Sequence, residues 1–107
     1  MLFRSQGEYE KALEYYGKAL AISERVLGTE HPSTATMYSN MAGVFRAQGE
    51  YEKALEYYKK ALTVYKMKLG EAHPYTQDTQ MSVQIMELLI DLGINEEQLM
   101  ELIKQKQ

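Results

Sequence analysis

The run GEYEKALEYY occurs twice in this chain, once over Gly7 to Tyr16 and again over Gly49 to Tyr58. The same offset of 42 superposes Lys18-Ala19-Leu20 on Lys60-Ala61-Leu62, Leu27-Gly28 on Leu69-Gly70, and His31-Pro32 on His73-Pro74. Self-similarity at a fixed period of this size marks one supersecondary unit stacked on its copy. Over residues 7–34 there are 18 identities in 28, and over the next 14 residues there are none. The repetition therefore decays inside its last copy.

Periodicity assigns the elements. From Tyr51 the apolar residues Ala54, Leu55, Tyr58, Ala61, Leu62, Tyr65 and Leu69 follow at the three-and-four spacing of one helical face. Tyr9, Ala12, Leu13, Tyr16, Ala19 and Leu20 repeat it, so long amphipathic helices are expected over residues 8–27 and 50–69. Gly28 and Gly70 follow as left-handed stops, and Pro32 and Pro74 open new helices, where proline's missing N–H is not needed. The opening helices are expected from Pro32 to about Gln48, ended by Gly49, and from Pro74 to about Leu92, ended by Gly93. Asn95 and Gln98 form a capping pair for a last helix through Lys104.

Leu2 to Gly7 match the segment from Val44 to Gly49, so residues 1–6 read as the tail of an opening helix. The first long helix then needs cover for Tyr9, Leu13, Tyr16 and Leu20, each worth roughly 1.5–3 kcal/mol if buried. A second copy of the chain would supply it. The helix over residues 74–92 carries Met81, Val83, Ile85, Met86, Leu88, Leu89, Ile90 and Leu92 on nearly every side, which calls for burial all round. A partner subunit or an exchanged segment is the expected source.

Tyr38, Met41, Ala42 and Phe45 on one helix, with Ala54, Tyr58 and Ala61 on the next, give a pattern of large, small and aromatic positions that resembles the tetratricopeptide repeat. The small residues let two backbones cross closely. The Leu-Gly-x-x-His-Pro linker and the period of 42 resemble the lengthened subtype of kinesin light chains and nephrocystin-like proteins. The resemblance implies an all-α fold: antiparallel helix-turn-helix repeats stacked as a short right-handed α-solenoid. It forms a single domain over residues 1–107, with a partial first repeat over 1–31, a complete second over 32–73, and a divergent third over 74–107 ending in a capping helix. In that third unit an offset of 42 would put Gln84 and Glu87 at the positions of Ala42 and Phe45, whereas an offset of 44 places Ile85, Met86 and Leu89 opposite Met41, Ala42 and Phe45. The second register is the better one for burial.

Chemistry is sparse. His31 and His73 each precede a helix-opening proline and lack a neighbour at ligand spacing, so they read as caps and no metal site is expected. The glutamates lie beside lysines on helix surfaces, and no phosphate loop or nucleophile motif occurs, so no catalytic residues or cofactor are expected. Most of the nine tyrosines hold core spacing, while Tyr15 and Tyr57 lie off the stripe and are expected to be exposed. Cysteine is absent, and the net charge of −3 gives no attraction to nucleic acid or to an anionic bilayer. With no secretory signal or membrane span in view, the expectation is a cytoplasmic protein.

The resemblance implies a concave side, built from the opening helices, that holds an extended peptide. Thr36, Ser39, Asn40, Gly43 and Arg46 would face it. Asn40 matches the second asparagine of the Asn-Asn-Leu-Ala pattern of kinesin light chain repeats, here Ser39-Asn40-Met41-Ala42. An amide can donate to and accept from a peptide backbone, and a guanidinium can pair with a carboxylate. The expected function is thus a non-catalytic scaffold that binds a peptide or protein partner. The alternative is a self-association module that forms a homo-oligomer through its terminal helices.

Overall fold

The structure, a computed structural model, describes residues 6–105. Five helices follow one another: α1 (Gln6–Val26), α2 (Pro32–Ala47), α3 (Tyr51–Leu69), α4 (Pro74–Leu92) and α5 (Glu96–Gln105). No strand occurs among the described residues. α1 packs on α2, α2 on α3 and α3 on α4, consistent with a short helical-repeat solenoid. The helix tail expected over residues 1–6 lies, apart from Gln6, outside the described residues.

The predicted punctuation is present. The Nδ1 of His31 accepts the Ser33 N–H at 3.0 Å, and that of His73 accepts the Tyr75 N–H at 3.1 Å. Each imidazole thereby satisfies one of the amides a helix start leaves unpaired. Gly70 takes φ 91° and ψ 165°, a region essentially closed to residues with a Cβ, and so forces α3 to stop before His73. Gly93 ends α4 in the left-handed conformation, φ 67° and ψ 32°. Asn95 and Gln98 form a reciprocal box: the Asn95 N–H donates to Gln98 Oε1 at 2.9 Å, and the Gln98 N–H to Asn95 Oδ1 at 2.8 Å. Gly7 differs from Gly49: it lies within α1, whereas Gly49 takes φ 81° after α2.

The core is continuous from α1 to α4. Ala35, Ala42, Ala54 and Ala61 are all 0% exposed, so the α2–α3 crossing is as close as the small residues allow. Tyr38 reaches back to α1, its hydroxyl donating to Glu24 Oε2 at 2.8 Å. Rings of Tyr65 and Tyr75 meet at 5.7 Å between α3 and the start of α4. In α4, Met86 and Leu89 are fully buried while Gln84 and Glu87 are exposed, which is the register offset by 44. Two residues of slippage exchange two polar side chains for two apolar ones in the same seats.

Burial of α4 is one-sided, contrary to the all-round burial expected. Val83, Met86 and Leu89 face the core, whereas Met81, Leu88 and Leu92 are exposed. α3 covers a single face, and α5 has no buried residue of its own.

Two threonines at equivalent places behave differently. Thr34 donates its hydroxyl hydrogen to the Gly28 carbonyl at 2.7 Å, so the Ser23 hydroxyl, also at 2.7 Å, is the donor in their contact. Thr76 is just as buried, but Tyr65 stands in the place of Ser23, and the Thr76 hydroxyl has no partner among the described residues. Thr34→Val should therefore lower stability by roughly 1–3 kcal/mol, and Thr76→Val should leave it unchanged or raise it, as urea denaturation would report.

Burial, reinforced by the Glu24 carboxylate, pushes the Tyr38 phenol up to about 12. In the unfolded chain it titrates near 10. Below pH 10 the full contribution is present; from 10 to 12 the unfolded state releases a proton that the folded state keeps, and stability falls. Tyr38→Phe should flatten the dependence of unfolding free energy on pH over that window by about one proton.

Candidate functional site

Five residues on α2 form one stripe, because steps of three and four residues return to the same side of a helix. Thr36, Ser39, Asn40, Gly43 and Arg46 are all half-buried within α2. The ends of the stripe are tied to other helices. The Thr36 and Tyr65 hydroxyls share a hydrogen bond of 2.8 Å, and Thr36 also donates to the Pro32 carbonyl at 3.1 Å. Burial pushes the Tyr65 phenol up, against a smaller opposing effect of the Thr36 hydrogen bond.

The middle of the stripe is open. Asn40 makes no side-chain hydrogen bond among the described residues. A Cβ built on Gly43 would meet nothing within 4 Å. A glycine inside a helix is destabilising by about 0.5–1 kcal/mol relative to alanine, and no packing demand among the described residues requires one here. What the pair offers is bare backbone beside an unengaged amide.

At the other end Arg46 is engaged, and by a residue 50 positions away. Its Nε and Nη2 both donate to Glu96 Oε2, at 3.0 and 2.8 Å. Hydrogen bonding to Glu96 outweighs the effect of burial, so the Arg46 pKa is pushed further up and the guanidinium stays charged. The Glu96 N–H donates to the Tyr51 hydroxyl at 3.0 Å. One carboxylate and one amide from the first turn of α5 are thus received by α2 and α3. No local pattern in the sequence signals this contact.

Other features lie off the stripe. A cavity of about 610 Å³ lies between the α2–α3 turn and the α4–α5 connection, lined by Glu50, Tyr51, Lys53, Ile90, Ile94 and Gln98 among others. Tyr57, expected to be exposed, instead stacks on Phe45 with ring centroids 5.5 Å apart, and Lys60 sits 5.3 Å from its face. Its duplicate Tyr15 is 70% exposed, and none of the other described helices covers that part of α1. No group of three or more potential metal ligands occurs among the described residues. None of the described helices is long and apolar enough to cross a membrane.

Comparison with known proteins places these features in context. The chain matches the family described as tetratricopeptide repeat over residues 1–67. It is also similar to the clustered mitochondria protein homolog of Homo sapiens, 50% identical over 36 residues. That segment covers 34% of this chain and 3% of the human protein.

Proposed function

Since the chain belongs to the tetratricopeptide repeat family, whose repeats generally mediate protein–protein interaction, we propose that it is a non-catalytic scaffold segment that takes an extended peptide along the α2 stripe. The observation carrying this reading is the Asn40 amide, unengaged among the described residues, beside the open backbone of Gly43. An amide in that position can bond a peptide N–H and C=O together, which fixes an extended chain without selecting its sequence. The period of 42 and the two His-Pro openings support the lengthened subtype. The setting is read as cytoplasmic, and the net charge of −3 suits a partner that is neither nucleic acid nor an anionic membrane.

A random peptide display library panned against the full chain tests the reading. Peptides enriched on the wild type should bind the Asn40→Ala, Arg46→Gln double variant at least about tenfold more weakly, the loss of one or two hydrogen bonds to a ligand. Equal affinity for both proteins would remove the stripe from the site.

Exposed apolar surface at the two ends favours a second reading, self-association. Tyr15, Ile22 and Val26 stand exposed on α1, as do Met100, Leu102 and Ile103 on α5. Sedimentation over a concentration series decides it: a mass that rises with concentration supports a homo-oligomer, and a monomer at high concentration excludes it.

A further inference from the structure

Arg46 closes one end of the α2 stripe, and in this structure the acid it holds belongs to the chain itself. Glu96 fills the guanidinium with both bonds on one oxygen, and the Tyr51 hydroxyl accepts the Glu96 N–H. The chemistry of the seat is therefore visible: it takes a carboxylate together with the backbone amide of the same residue. Charge-assisted bonds of this kind are the strong ones, and beside Glu96 the guanidinium has the neutral Tyr58 hydroxyl as a weaker side-chain partner.

The rest of α5 is held lightly. None of its residues is buried, Leu99 is only partly covered by the core, and Met100, Leu102 and Ile103 are open to solvent. The connection to α4 turns on Gly93, whose left-handed backbone ends α4 cleanly, with its N–H on the Leu89 and Ile90 carbonyls. Ile94 and Leu99 pack on the core, each only in part, so undocking α5 would give up little buried apolar surface. The asparagine–glutamine box at its start is internal to α5 and would travel with it.

We propose that α5 is a built-in ligand of the stripe: Glu96 occupies the seat that an acidic residue of a peptide partner takes, and partner binding and α5 docking exclude each other. This rests on the reading of α2 as a peptide site and adds the class of partner, an acidic peptide, and its regulation. Because α5 is tethered, it competes at a high effective concentration, so an acidic peptide added in trans meets an occupied site until α5 is displaced.

The probe is a fluorescent synthetic peptide covering residues 94–105, followed by anisotropy against the full chain. Glu96→Gln in the protein keeps the capping box and removes the competing charge. This variant should bind the wild-type peptide about tenfold more tightly than the wild-type protein does. Arg46→Gln should abolish the binding, as should Glu96→Gln in the peptide. Amide exchange over Leu99 to Ile103 should speed up in both protein variants, while α2 and α3 keep their protection. Equal binding of the peptide by wild type and Glu96→Gln, binding by neither, or α5 exchange unchanged would overturn the proposal. Asn40→Ala separates the two readings. If library peptides need Asn40 but are indifferent to Glu96, the competition by α5 fails and the groove stands; if Glu96 competes while Asn40 is indifferent, the groove fails and the competition at Arg46 stands.

Discussion

Leu89→Ala is expected to lower the free energy of unfolding by roughly 2–5 kcal/mol, the range for a fully buried leucine whose removal leaves a cavity. Leu89 is 0% exposed and belongs to the face of α4 that joins the common core. A domain of this size is marginal to begin with, so the variant should melt many degrees lower or fail to fold at ambient temperature. Its neighbour Leu88 is 44% exposed, and Leu88→Ala should change stability by about 1 kcal/mol or less. The contrast between adjacent leucines reads out which side of α4 is inside. Similar losses at both positions would mean that α4 is covered all round, as its composition alone suggests.

A larger side chain at the helix crossing tests the same core from the other direction. Ala61 is 0% exposed at the α2–α3 crossing, and Ala61→Leu should destabilise by roughly 1–3 kcal/mol through overpacking. Its duplicate Ala19 stands in an identical Lys-Ala-Leu context but borders an open apolar groove with Ile22, Val26 and Leu27. Ala19→Leu should stay within about 0.5 kcal/mol of the wild type. Helix propensity is the same at the two sites, so the difference measures tertiary packing alone. Thermal melts of the two variants side by side are sufficient.

Local signals in the chain were legible because their physics is local. A histidine before a proline, a glycine after an amphipathic run and an asparagine three residues before a glutamine each specify a cap within four residues, and all were found in place. The offset of 44 in α4 was legible too, because the alternative buries Gln84 and Glu87. The stripe on α2 follows from helical spacing. What escaped was contact between distant segments. A helical wheel places Tyr57 off the main apolar face, but a helix in a stacked array touches neighbours on more than one side, and Phe45 and Tyr38 close over it. Arg46 and Glu96 are each ordinary surface residues in their own helices, and only the path of the α4–α5 connection brings them together. One-sided burial of α4 was hidden for the same reason: composition fixes what a helix prefers, and the neighbours fix what it receives.

The α2 stripe and the Arg46 seat exist only if α2, α3 and α4 pack against one another as successive helices with one shared interior. Nuclear Overhauser contacts between aromatic rings test that most directly, since they vanish beyond about 5–6 Å, the scale of aromatic pair contacts. Phe45 and Tyr57 should show strong cross-peaks, and Tyr65 and Tyr75 should show cross-peaks linking α3 to α4, in keeping with centroid separations of 5.5 and 5.7 Å. A spectrum with helical amide connectivities throughout but no ring-to-ring contacts between helices would contradict it.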